Sequence, residues 1–160
     1  MILHASISAK NPQHVASVLA ELWEGEVFAF PPVPDAFIAM AGDARGSGIE
    51  VYPDTISLVP GAAEAMFDTT RTQAPPAFVA THLAIQCHRP QAEIEALAAR
   101  EGWRAVRCSR GGLFDVIELW IENRTMIEVL TQDMAQDYVA TSSIESWRTA
   151  MAAVSEGRVQ

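Results

Sequence analysis

The sequence predicts an α+β protein built from two tandem βαβββ modules and a C-terminal helix, and three observations carry that expectation. A His…Glu unit occurs twice: His4 and Glu50 stand 46 positions apart, as do His82 and Glu128, with an offset of 78 between the units. Each unit spans the same order of strand-like and helix-like segments. A Pro- and Gly-bearing stretch separates the two. The register extends further, since Ile2 to Ala20 overlays Ala80 to Ala98 without a gap and matches Ile7 to Ile85, Pro12 to Pro90, Gln13 to Gln91 and Leu19 to Leu97. Ile49-Glu50-Val51 overlays Ile127-Glu128-Val129 at the module ends. A period this long marks a half-domain, because solenoid units are shorter and more numerous.

In the first module (1–52), Ile2 to Ser8 alternates, with Leu3, Ala5 and Ile7 on one face and His4, Ser6 and Ser8 on the other. Asn11-Pro12 reads as an N-cap followed by proline in the first turn, and Val15, Val18, Leu19 and Leu22 continue at helical spacing to about Trp23. Gly25 ends that helix. Strands are then expected at Glu26 to Phe30, Phe37 to Ala41 and Gly48 to Tyr52. The second module (78–131) repeats the order, with a strand at Val79 to Cys87, a helix from about Pro90 to Arg100, and strands near Arg104 to Cys108, Phe114 to Ile121 and Thr125 to Leu130. Gly111-Gly112 and Asn123-Arg124 supply its turns.

Residues 53–77 read as a linker, with one helical turn at Ala62 to Phe67. In the extension 132–160, an amphipathic helix is expected at about Ser143 to Glu156, with Ser142 and Glu145 as a capping box and Ile144, Trp147, Met151 and Val154 on one stripe. Such a stripe suits a covered surface or a subunit contact.

Composition narrows the function. A formal charge of −9 disfavours nucleic acid, whose binding needs a basic face to displace phosphate counterions. No apolar run approaches the length of a membrane span, with Val116 to Ile121 interrupted by Glu118. Two cysteines, Cys87 and Cys108, and an opening without a basic stretch before an apolar one make the cytoplasm the expected location.

Strand parity puts the four repeated residues together. His4, Glu50, His82 and Glu128 all have apolar neighbours that face the helices, so all four fall on the open sheet face. Imidazole and carboxylate are ligands for borderline divalent cations, which makes one divalent metal ion (Ni, Zn, Co, Mn or Fe) the expected cofactor. Glu118, Trp120, Tyr52 and Met40 are candidate pocket residues, and Arg110 and Arg124, in turns beside the second-module strands, are candidates for holding a substrate carboxylate.

Paired βαβββ modules with His on the first strand and Glu on the last resemble the vicinal oxygen chelate superfamily, also called the glyoxalase, bleomycin-resistance and dioxygenase fold. In ligand set the chain is similar to bacterial glyoxalase I and methylmalonyl-CoA epimerase. The resemblance covers about residues 1 to 131 and implies a cupped mixed sheet with the helices on its convex side. It further implies metal ligands His4, Glu50, His82 and Glu128, and a homodimer. The activity it implies is that of a metal-dependent lyase or isomerase: a small α-oxygenated carbonyl compound is converted through an enediolate, with Glu128 or Glu50 as the base. A non-catalytic protein that captures a small molecule in the same cup is the alternative, followed by an Fe-dependent dioxygenase. Two departures from the glyoxalase I pattern leave the use of glutathione open: the run Glu122 to Met126 lacks the Asp-Pro-Asp-Gly type of turn, and Ala5 to Ala9 lacks the arginine that in that enzyme helps hold glutathione.

Overall fold

The computed structural model describes residues 2–155. The side chain of Val154 and Glu156, both assigned to the C-terminal helix by the sequence pattern, lie outside what is described. The first module runs β1 (His4–Ala9), α1 (Pro12–Trp23), β2 (Glu26–Ala29), β3 (Phe37–Met40) and β4 (Gly48–Pro53). These strands form one sheet in the order β1-β4-β3-β2, with β1 parallel to β4. A hairpin of β5 (Ile56–Val59) and β6 (Asp68–Arg71) follows. The second module runs β7 (Leu83–Gln86), α2 (Gln91–Glu101), β8 (Arg104–Arg110), β9 (Phe114–Ile121) and β10 (Thr125–Leu130). Its sheet has the matching order β7-β10-β9-β8, again with a parallel pair. Two helices, α3 (Gln132–Thr141) and α4 (Ile144–Ser155), end the described chain.

The repeat holds to the residue. Glu50 sits opposite Ser6 in the β1–β4 ladder, and Glu128 opposite Ala84 in the β7–β10 ladder, so both ladders keep the 78-residue offset. Local signals explain the module ends. The Asn11 side chain accepts the His14 N–H and Pro12 occupies the first turn of α1, where its missing donor costs nothing. A Cβ on Gly25 would stand 1.9 Å from the Met40 carbonyl oxygen, so only glycine lets α1 turn so closely onto β3. Glu122 and Asn123 both have positive φ, as the tight turn joining β9 to β10 requires.

One core serves both modules. Val15, Leu19 and Leu22 of α1, Ile49 and Val51 of β4, Ile94 and Leu97 of α2, and Ile117, Leu119 and Ile127 of the second sheet belong to a single buried cluster. Polar clasps reinforce it. The Trp23 indole donates to the Gln86 carbonyl at 3.1 Å, Arg89 donates to the Glu21 carbonyl at 3.0 Å, and the Glu122 carboxylate accepts the Lys10 and Asn11 amides at 2.7 and 2.9 Å.

Four expectations change. The stretch Ala62 to Phe67 is the loop of the β5–β6 hairpin, not a helical turn, because the flanking residues pair as Ile56 with Arg71 and Val59 with Asp68. The first strand of the second module starts at Leu83 instead of Val79, since its pairing to β10 begins there. Residues 132–141 form a helix that the pattern did not indicate, capped by the Thr131 hydroxyl accepting the Met134 N–H. That places Ser142 at the end of α3, and the cap of α4 passes to Ser143, whose hydroxyl accepts the Ser146 N–H at 3.0 Å.

α3 packs on the second sheet. Val116 and Leu130 have the parity of Glu118 and Glu128, and both are buried in one cluster with Met134, while the Tyr138 ring meets Phe114 edge-on at 5.0 Å. The far end of that polar face is thereby closed. α4 instead leaves Ile144, Trp147 and Met151 exposed. No helix among the described residues is long and apolar enough to cross a membrane.

Candidate functional site

On the first sheet, Ile7 and Ala9 of β1 and Ile49 and Val51 of β4 point into the core, which turns His4, Ser6, Ser8, Glu50 and Tyr52 to the opposite face. Glu50 is only 8 % exposed. Its Oε2 accepts hydrogen bonds from the Ser6 and Tyr52 hydroxyls, each at 2.8 Å, and its Oε1 stands 3.8 Å from His4 Nε2. Burial, and next the adjoining Glu50 carboxylate, push the Tyr52 phenol up to about 12, so it stays a protonated donor throughout the physiological range. Met40 lies on this face, its sulfur 3.0 Å from where a Cβ on Gly48 would sit.

The equivalent carboxylate of the second sheet has different company. Glu128 is 9 % exposed, and its Oε1 accepts two hydrogen bonds from Arg110, one from Nε at 3.0 Å and one from Nη2. The same Nη2 donates to Glu118 Oε1 at 3.0 Å. Glu118 Oε2 accepts from the Trp120 indole at 3.3 Å and from Arg104 at 3.4 Å. Burial raises the Glu118 carboxyl, but the Arg110, Trp120 and Arg104 donors outweigh it and hold the group below its ordinary value. Hydrogen bonding to Glu128, the largest effect, raises Arg110, so the guanidinium is locked in its charged form.

The remaining candidates are placed as follows. His82 precedes β7, is exposed, and its Nδ1 lies 3.1 Å from the Ala80 carbonyl oxygen. Arg124 pairs with Asp54 and donates to the Pro76 carbonyl, fastening the second module to the chain that follows β4. Trp120 meets Phe78 edge-on at 6.3 Å. Cys87 is buried and Cys108 half-buried, both as free thiols.

Two cavities adjoin the Glu50 cluster. A groove of about 570 Å³ runs between the first strands of the two modules and is lined by both His4 and His82, with Trp23, Ser47, Gln86 and Tyr138. A smaller cavity of about 230 Å³ is lined by Ser6, Ser8, Tyr52, Leu58, Thr81 and Thr125. Glu50 lines neither, so it meets any bound molecule through His4 on one side or through Ser6 and Tyr52 on the other. The role of Ser6 was open to sequence reasoning. It shares the polar face of β1 with His4 and lies two residues from it, but its partnership with Glu50 depends on the parallel ladder between β1 and β4.

The residues do not fit a four-ligand cation as they stand. Among the described residues no three His, Cys, Asp or Glu side chains converge on a common point. His4 and Glu50 form a half-site, whereas Glu128 is committed to a guanidinium.

No protein-family model and no curated protein matches the chain. Among solved structures, the chain is similar to an Agrobacterium tumefaciens protein determined in solution, with TM-score 0.49, 10% identity, and 82% of this chain and 96% of that one covered. It is also similar to the trypanothione-dependent glyoxalase I of Leishmania major, with TM-score 0.49, 12% identity and 99% of each chain covered. A third similarity is to a glyoxalase/bleomycin resistance protein/dioxygenase of Alicyclobacillus acidocaldarius, with TM-score 0.40, 14% identity, and 81% of this chain and 89% of that one covered.

Proposed function

We propose that the chain binds a small oxygenated carbonyl compound in the groove between its modules and moves a proton on it through His4, with Glu50 as the carboxylate behind that histidine. The observation that carries this reading is the chain of contacts from Ser6 and Tyr52 to Glu50 Oε2, and from Glu50 Oε1 to His4 at 3.8 Å. An exposed imidazole within ion-pairing distance of a buried, hydroxyl-anchored carboxylate brings together the two kinds of group that a general base and its partner require. His4 has a side chain 62% exposed and lines the groove, so it reaches a ligand that Glu50 does not. Proton removal next to a carbonyl is the lyase or isomerase type of step, and His4 is the group that faces the groove where it would occur.

The test is α-proton exchange of hydroxyacetone in D₂O, followed by NMR. Exchange above background that is lost in His4→Asn and reduced in Glu50→Gln is the expected result. Wild-type exchange no faster than both variants would refute the reading.

A metal-dependent reaction is the second reading, favoured by the residue-for-residue repeat of Glu50 and Glu128 in the two ladders. In it His4 and Glu50 would hold a divalent ion that polarises the carbonyl, and His82 and Glu128 would join them only once Glu128 had left Arg110. Elemental analysis of protein purified without chelator separates the two: one ion per chain, with exchange abolished by chelation, selects the second reading. Capture without turnover would appear as hydroxyacetone binding with no exchange. Dimerisation and cytoplasmic location belong to the proposal as well, and sedimentation of the purified protein tests the former.

A further inference from the structure

The two equivalent glutamates are held by different chemistry. Around Glu50 the donors are the neutral hydroxyls of Ser6 and Tyr52, while the positions 78 residues on are Ala84 and Leu130, which have no donor to offer Glu128. Across the neighbouring antiparallel strand, Glu50 faces the apolar Ile38 and Glu128 faces a second carboxylate, Glu118. Two nearly buried carboxylates opposite one another on a sheet are mutually destabilising unless a cation lies between them. Arg110, the last residue of β8, supplies that charge by donating to both.

We propose that Arg110 is the resident cation of the second half-site, occupying through its guanidinium the position where Glu128 would otherwise bind a divalent metal. A divalent ion at Glu128 would have to displace Arg110 from both carboxylates or sit against its positive charge. Glu128 is on this view a structural anchor, and the working carboxylate is Glu50. The inference holds whether or not His4 moves a proton, so the two can fail separately.

Thermal unfolding with NiCl₂, ZnCl₂, CoCl₂ or MnCl₂ as the only added probe tests it, together with calorimetric titration of the same salts. In the wild-type chain no metal uptake that depends on Glu128 is expected, so each added salt should shift the Tm of wild type and of Glu128→Gln by the same amount, whatever their starting values. In Arg110→Met Glu128 loses its cation while Glu118 keeps only Arg104, and at least one of the salts is expected to bind about tenfold or more tightly than to wild type and to raise Tm. Arg110→Lys, which keeps a charge, should resemble wild type. A wild-type chain that binds one cation and loses it in Glu128→Gln overturns the proposal, as does a folded Arg110→Met that gains no cation binding. If Arg110→Met does not fold, the wild-type and Glu128→Gln titrations decide alone.

Discussion

The Tyr52 hydroxyl donates to Glu50 Oε2 at 2.8 Å from only two residues away on β4, so the strand that presents the carboxylate also presents its anchor. With Ser6 contributing the second donor from β1, one carboxylate oxygen is fully engaged and the other is left toward His4. Removing the Tyr52 hydroxyl, in Tyr52→Phe, is expected to cost about 1 kcal/mol of stability. Glu50→Ala should cost more, about 1–3 kcal/mol, because it leaves two hydroxyls without their acceptor. Urea unfolding of both variants checks the order, and Glu50→Ala being the milder change would contradict the anchoring role.

The α1–α2 clasp makes stability sensitive to acid. Glu101 bonds His14 Nε2 at 2.6 Å and Arg100 Nε at 2.7 Å, and Arg100 also bonds both oxygens of Glu21. Burial raises the Glu101 carboxyl, but Arg100 and His14 outweigh it and leave the group below its ordinary value of 4.5. A depressed carboxyl contributes stability above its unfolded value and loses it as pH falls through the folded one. Tm is therefore expected to fall as pH drops below about 4.5, more steeply for wild type than for Glu101→Gln. Identical acid profiles would remove this clasp as a cause.

Gly25 tests the closeness of α1 to β3. A Cβ there meets the Met40 backbone oxygen at 1.9 Å, and backbone cannot move aside as a side-chain tip can. Gly25→Ala is expected to destabilise the fold by about 1–3 kcal/mol, read as a shift in the urea midpoint. A midpoint equal to wild type would show that the turn relaxes freely.

Because one buried cluster joins both modules, they should unfold together. Leu119 is fully buried in that cluster, and Leu119→Ala should cost about 2–5 kcal/mol while leaving one calorimetric transition. Two separated transitions in the wild-type chain would show that the modules hold independent cores.

The repeated His…Glu spacing and strand alternation were enough to place both βαβββ orders, because periodicity two and periodicity 3.6 are local consequences of backbone geometry. The face of Glu50 followed from its neighbours Ile49 and Val51, and that of Glu128 from Ile127 and Val129. The β5–β6 hairpin was less legible, since its strands gain their pairing from each other and Asp68 to Arg71 is polar throughout. Helix α3 was hidden for a related reason: among its residues only Met134 is buried, so little apolar periodicity marks it.

By itself the sequence determined the module order, the internal repeat and the side of the sheet that carries His4, Glu50 and Glu128. Only the tertiary structure decided what each carboxylate touches: Ser6 and Tyr52 for one, Arg110 for the other. Parity is set by bonds along one strand, whereas the partner of a charge is set by whichever side chains neighbouring strands bring within reach. That pairing distinguishes Glu50 from Glu128 although the repeat makes them equivalent.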